Sequence, residues 1–84
     1  MAAMLHGSQI RAARALLGWT ASNLAERSGV SLKTIGRAET VSGVPRMLTE
    51  KMDAIQLALE QGGVVFIDAN TVAGPGVRLR RTLS

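Results

Sequence analysis

Residues 21–40, with the sequence ASNLAERSGVSLKTIGRAET, constrain the fold more than any other segment of the chain. Ala25 stands four positions before Gly29, and the turn at Gly29 separates two short helical stretches. Two helices that cross at about 90–120° through a tight turn need a small residue at their contact and a turn residue that tolerates positive φ. Apolar residues that would hold this pair on neighbouring helices are Leu24, Val30, Ile35 and Ala38. The spacing therefore predicts a helix-turn-helix.

Helix-ending and helix-capping residues set the limits of the first three predicted helices. A first helix is predicted over residues 8–17, with Gly18 as its C-cap and an apolar face formed by Ile10, Ala13 and Leu17. Hydroxyl side chains accept hydrogen bonds from the free amides at a helix start. The next two helices are accordingly predicted over residues 21–27 and 32–39, capped by Thr20 and Ser31.

A longer fourth helix is predicted over residues 45–61. Its start is assigned to Pro45, because proline suits the first position of a helix. Gly62 and Gly63 follow it, and its apolar stripe consists of Leu48, Met52, Ile55 and Leu59. At the other end of the chain, residues 1–7 show no hydrophobic period and are expected to form a flexible arm.

The chain changes character after the two glycines. Residues 64–67 (VVFI) and 77–80 (VRLR) flank a turn-rich stretch, which predicts a β-hairpin with a long loop. The first strand is apolar at every position, whereas a strand exposed on one side alternates with polar residues. We expect one face to cover the fourth helix and the other face, together with that helix, to form a homodimer interface. The alternative is a monomer with the hairpin folded back.

The predicted organisation is therefore a helix-turn-helix domain over residues 8–61, preceded by the arm. Residues 62–84 add the hairpin and a basic tail as the dimerisation element. Arg78, Arg80 and Arg81, which alternate outward along the second strand or continue into the tail, are interpreted as a solvated basic end. The predicted fold class is mainly α, with four or five helices and a C-terminal β-hairpin.

Composition limits the classes of function. Ten Lys and Arg against six Asp and Glu give a net charge of +4, which favours a polyanionic partner such as double-stranded DNA. The chain has no cysteine, so disulfides and thiolate metal sites are excluded. Its one histidine, His6, has no companions for a metal or catalytic site, so we expect neither a metal, nor a cofactor, nor an enzyme. No apolar run suits a membrane span or a signal peptide, which makes the cytoplasm the expected location.

Several stretches together resemble a known family. They are IRAAR at 10–14, WT at 19–20, LAERSGVS at 24–31 and TI at 34–35. In this order and spacing they are very similar to the phage-repressor and Cro type of helix-turn-helix, the xenobiotic-response-element (XRE) regulator family. The resemblance covers about residues 8–61, and residues 62–80 resemble an extension of small members. It implies a compact helical repressor-like domain, operator binding as a symmetric dimer, and no catalysis.

An ion pair between Arg14 and Glu39 is predicted from their positions. Arg14 borders the inward face of the first helix, and Glu39 borders that of the third. Opposite charges on inward-leaning positions cost too much when unpaired, so we expect them to pair. The resemblance also implies an arginine–glutamate bridge between these helices. Trp19 is expected to pack where the first two helices meet rather than to stack on a base.

The third helix is the predicted recognition helix, which enters the major groove of DNA. Its outward side chains are Leu32, Lys33, Gly36 and Arg37. Arg37 suits a bidentate contact with guanine, Lys33 a guanine or a phosphate, and Leu32 a thymine methyl group. Contacts to phosphate are predicted for Ser31, Thr34, Thr40, Ser42 and Arg46. The alternatives are solvation for Lys33 and Arg37, and an internal apolar contact for Leu32. Gly36 either permits close approach to DNA or has no role.

The sequence thus predicts a sequence-specific transcriptional regulator, most simply a repressor, that acts as a homodimer. One alternative is an antitoxin-type autoregulator whose tail also binds a toxin protein, which would co-purify with it. Another is a protein-interaction module that keeps the fold and binds its partner without dependence on salt.

Overall fold

Four helices precede a two-stranded hairpin in a computed structural model of the chain, which describes residues 4–81. The elements are α1 (Gly7–Leu17), α2 (Ala21–Ser28), α3 (Leu32–Glu39), α4 (Thr49–Gly62), β1 (Val64–Ile67) and β2 (Gly76–Leu79). The predicted fold class, mainly helical with a C-terminal β-hairpin, is confirmed. None of the helices in the described part of the chain is long and apolar enough to cross a bilayer.

The turn and capping residues have the predicted roles. Gly18 ends α1 at φ 70° and Gly29 ends α2 at φ 75°, both in the left-handed region that favours glycine. Thr20 caps α2, since its Oγ1 accepts from the amide of Asn23 at 3.0 Å. The Oγ of Ser31 accepts from the amide of Thr34 at 3.2 Å and caps α3 in the same way. These local hydrogen bonds fix the helix-turn-helix in sequence register.

The core forms where the four helices and the first strand meet. All four apolar residues predicted to hold the helix-turn-helix in place are buried: Leu24, Val30, Ile35 and Ala38. They pack with Ile10 and Ala13 of α1, and with Met52, Ile55 and Leu59 of α4. The pattern of these helices is therefore explained by one shared apolar core, to which Leu5 and Val64 also contribute.

The flexible arm predicted for residues 1–7 is wrong from Leu5 onward. The side chain of Leu5 is fully buried in the core, and Gly7 opens α1. The amide of Gly7 donates to the carbonyl of Gly43 at 2.8 Å, and a Cβ at this position would overlap the carbonyl oxygens of Ala38 and Val41. The start of α1 is thus held against the end of α3, a contact between distant residues that no local period reveals. Residues 1–3 lie outside the described residues.

The predicted start of the fourth helix at Pro45 is also wrong. Pro45 is buried in an irregular segment, and α4 begins four residues later, at Thr49, after the N-cap Leu48. Leu48 is consequently exposed instead of belonging to the buried stripe, while Met52, Ile55 and Leu59 are buried as predicted. Proline fixes its own φ, and this φ is as compatible with an extended segment as with a helix start.

The hairpin is antiparallel, with Val64 opposite Leu79 and Ile67 opposite Gly76. It packs on α1 and α4, and Val64 is part of the core. On the side of β1 that faces away, Val65 and Ile67 keep 37% and 38% of their surface exposed. The predicted pairing is confirmed, although β2 begins one residue earlier than expected, at Gly76.

Candidate nucleic-acid interface

Helix α3 presents one polar and cationic face to solvent. Its inward residues Ile35, Ala38 and Glu39 are buried, whereas Lys33, Gly36 and Arg37 are exposed and Leu32 keeps 50% of its surface exposed. With 3.6 residues per turn, these outward positions lie next to one another along the helix. The outward orientation predicted for all four of them is confirmed.

The predicted ion pair joins α3 firmly to α1. Arg14 Nε donates to Glu39 Oε2 at 2.6 Å, and Arg14 Nη2 donates to Glu39 Oε1 at 2.7 Å. A third donor, Arg14 Nη1, reaches the carbonyl of Trp19 at 2.9 Å. Arg11 adds a hydrogen bond from its Nη1 to the carbonyl of Glu39. This bidentate pair anchors the end of α3 to α1, so it helps to set the position of the helix that carries the outward residues.

The pair also raises the pKa of Arg14. The hydrogen bonds that it donates to Glu39 raise the pKa of the Arg14 guanidinium, and the charge of Glu39 adds to this increase, against a smaller opposing effect of burial. A group whose pKa is raised on folding stabilises the fold below its unfolded pKa, and this contribution is lost only as the pH rises past the folded value. For arginine, both values lie far above neutral pH, so the contribution of Arg14 to stability does not change with pH around neutrality.

A groove of about 390 Å³ lies beside α3, between its second half and the segment that leads into α4. Its cations come from three different elements: Arg37 from α3, Arg46 from the irregular segment, and Lys51 from the first turn of α4. Val41, Pro45 and Leu48 contribute apolar lining. None of its lining residues, all within the described range, is acidic, so the groove combines positive charge with apolar surface.

The residues predicted to contact DNA separate into three groups. Thr34, Arg37 and Arg46 line the groove, with Leu32 and Lys33 on the adjoining face of α3. Ser31 is exposed, but its hydroxyl is engaged at the helix cap, where it accepts from the amide of Thr34 and donates to the hydroxyl of Thr34 at 2.9 Å.

The remaining two, Thr40 and Ser42, are exposed beyond the end of α3 and do not line the groove. The hydroxyl of Thr40 donates to the carbonyl of Arg37 at 2.7 Å, so it terminates the helix. The carbonyl of Ser42 accepts from the hydroxyl of Ser8 at 3.0 Å, which ties the Ser42 backbone to the first turn of α1.

Lys51 was not among the residues predicted from the sequence. The misplaced start of the fourth helix explains this, because a helix beginning at Pro45 puts Arg46 in the first turn and Lys51 in the second. With α4 beginning at Thr49, Lys51 occupies the first turn and points into the same groove as Arg37 and Arg46. Knowledge of the true start of α4 would have identified Lys51, but the N-cap there is Leu48 rather than Ser, Thr, Asp or Asn, so the sequence does not mark this start.

Trp19 packs within the protein, as predicted. Its ring is partly buried against the core, close enough to α4 that a Cβ at Gly62 would lie 2.7 Å from ring atoms Cη2 and Cζ2. The guanidinium of Arg27 lies over the ring at 4.4 Å from its centroid. Arg27 therefore belongs to a cation–π contact rather than to the groove.

Comparison with known protein families gives no match for the chain, and comparison with curated protein sequences gives none either. Within residues 4–81, no three His, Cys, Asp or Glu side chains lie together in a way that would hold a metal ion.

Proposed function

We propose that the chain is a sequence-specific DNA-binding transcriptional regulator of the XRE type, which acts in the cytoplasm and reads the major groove with α3. The observation that carries the proposal is the arrangement of cations. Lys33 and Arg37 lie one turn apart on the exposed face of α3, beside a groove that adds Arg46 and Lys51. Four cations at and beside one helix face supply the positive charge that binds the phosphate backbone of DNA.

Base recognition is assigned to the outward face of α3. Arg37 offers the paired donors that match guanine O6 and N7, and a good bidentate contact of this kind discriminates by about 1–3 kcal/mol. Lys33 addresses the same groove from one turn earlier, with a guanine or a phosphate as its partner. Leu32, half exposed, is the apolar member of this face and suits a thymine methyl group.

Backbone binding is assigned to the groove. Arg46 and Lys51 bind phosphate oxygens, while Leu48 and Val41 contact the apolar faces of the deoxyribose rings. Contacts to phosphate give affinity without sequence preference and make it depend on salt. Thr40 and Ser42, at the edge of the same surface, are assigned the same kind of contact.

The regulator is proposed to bind as a homodimer through the outer face of the hairpin. The exposed side chains Val65 and Ile67 on β1, together with Leu57 on α4, supply the apolar surface for this contact. A symmetric dimer would present two copies of α3 to successive major grooves, about 34 Å apart, on a palindromic operator.

Random-site selection on duplex DNA, followed by titration of the selected site, tests the proposal. We expect Arg37→Ala to weaken binding about 5- to 150-fold and to relax the preference at one base position, since it removes one base contact. The matched control is Arg81→Ala, which removes the same charge. Arg81 is next in sequence to Arg80, whose Nη2 donates a hydrogen bond to the carbonyl of Glu60. Glu60 and Lys51 are at opposite ends of α4, so Arg81 lies away from the groove.

An unchanged affinity and unchanged preference for Arg37→Ala would contradict the proposal. A protein-interaction module of the same fold would instead leave no duplex bound at low ionic strength and would bind its partner without dependence on salt.

A further inference from the structure

Gly36 lies at the centre of the exposed face of α3, where glycine is a poor choice for a helix. Residues three and four positions apart are neighbours on a helix surface, so Leu32, Lys33 and Thr40 surround it, and Arg37 follows it directly. Glycine in a helix interior is less favourable than alanine. If no contact within the protein compensates for this loss of helix stability, the glycine is better explained by contact with a binding partner.

The structure holds no internal reason for this glycine. A Cβ added at Gly36 would meet no atom within 4 Å, and its φ is not positive. Other glycines have evident reasons: Gly7 leaves room for the carbonyl oxygens of the α3 end, and Gly18 and Gly29 have left-handed backbones. Gly36 is therefore a notch in the outward surface of α3, flanked by cations and by the half-exposed Leu32.

We propose that this notch seats the methyl group of a thymine, so that α3 contacts the edge of a base pair with its backbone at Gly36. This inference rests on the proposed function. A helix with its side chains is about 10–12 Å wide and the major groove is about 12 Å wide, so the helix fits with little clearance. A missing side chain lets the backbone come closer to the bases. The thymine methyl is the apolar group of the major groove, and Leu32 provides an apolar wall beside the notch.

Two variants test the requirement for a notch. Gly36→Ala is expected to raise Tm by about 4–8 °C, because alanine favours the helix and meets open space. The same variant is expected to weaken binding to the selected operator about tenfold, since the added methyl keeps the helix away from a base edge. Gly36→Gln, which combines good helix propensity with a larger side chain, should weaken operator binding further. The matched control is Gly74→Ala, another open position in the hairpin loop, which should bind as the wild type does.

Replacement of each operator thymine in turn by deoxyuridine, which lacks only the methyl group, identifies the occupant. At one position, the replacement should lower the affinity of the wild-type protein several-fold. The affinity of Gly36→Ala, which is already reduced, should not fall further when the same thymine is replaced. Unchanged binding by Gly36→Ala and Gly36→Gln, or no position sensitive to deoxyuridine, would overturn the inference while the proposed function stands. Failure of the wild type to bind any duplex would reject the proposed function and this inference with it.

Discussion

Removal of the Arg14 guanidinium should destabilise the fold more than any exposed substitution. The side chains of Arg14 and Glu39 keep only 20% and 10% of their surface exposed, and Arg14→Met would leave the Glu39 carboxylate without its two closest donors. Breaking a fully buried pair in this way costs about 3–5 kcal/mol. Since Arg14 retains some contact with water, we expect a loss of about 2–3 kcal/mol.

A loss of this size is a large part of the stability of such a chain. At about 0.05–0.15 kcal/mol per residue, a chain of 84 residues has a free energy of unfolding of roughly 4–13 kcal/mol. Urea unfolding followed by circular dichroism measures the change. With an m-value of about 1 kcal/mol per molar urea, the midpoint should fall by about 2–3 M.

The double variant distinguishes a pair from two independent residues. Glu39→Met in the Arg14→Met background removes the unpaired carboxylate and restores apolar packing, so the double variant should be more stable than Arg14→Met alone. Should Arg14→Met prove too unstable to fold, Arg14→Lys keeps the charge without the bidentate geometry and should give a smaller loss. A double variant whose loss equals the sum of the single losses would refute the reasoning.

Three further predictions follow from the geometry. Gly7→Ala should lower the free energy of unfolding by more than about 2 kcal/mol, because its Cβ would overlap two backbone carbonyls, and a midpoint equal to that of wild type would contradict the close packing of α1 on α3. Lys51→Ala should reduce the slope of log affinity for DNA against log salt by about one unit with little change in base preference, and an unchanged slope would remove Lys51 from the phosphate contacts. Ile67→Lys should convert the dimer to a monomer in sedimentation experiments, because it places a charge in the apolar interface. The control is Val72→Lys in the loop, where Val72 is already 92% exposed, and this variant should remain a dimer. A dimer that persists in Ile67→Lys, or a wild type that is a monomer, excludes the hairpin interface.

The sequence predicted best what neighbouring residues determine together. The Gly29 turn, the Thr20 and Ser31 caps and the outward face of α3 depend on residues within one or two helical turns, and all of them are confirmed. The Arg14–Glu39 pair could also be predicted, because the helical period places both charged side chains at the edge of the inward face of their helices. Burial of a charge then required a partner, whatever the sequence distance.

Features that depend on distant contacts could not be predicted. The burial of Leu5 follows from the packing of the chain start against the rest of the core, and Gly7 is close to α3 only in three dimensions. Pro45 is buried in an irregular segment where the local rule favoured a helix start, and this error concealed Lys51. The cationic groove itself joins three elements, so it exists only once the fold brings them together.

Backbone amide chemical shifts measured by NMR during titration with the selected duplex test the central claim most directly. If the outward face of α3 and the groove bind DNA, the largest shifts should occur at Lys33, Gly36, Arg37, Arg46 and Lys51, with small shifts in β1 and β2. Shifts confined to the hairpin, or no shifts with any duplex at low ionic strength, would contradict the account.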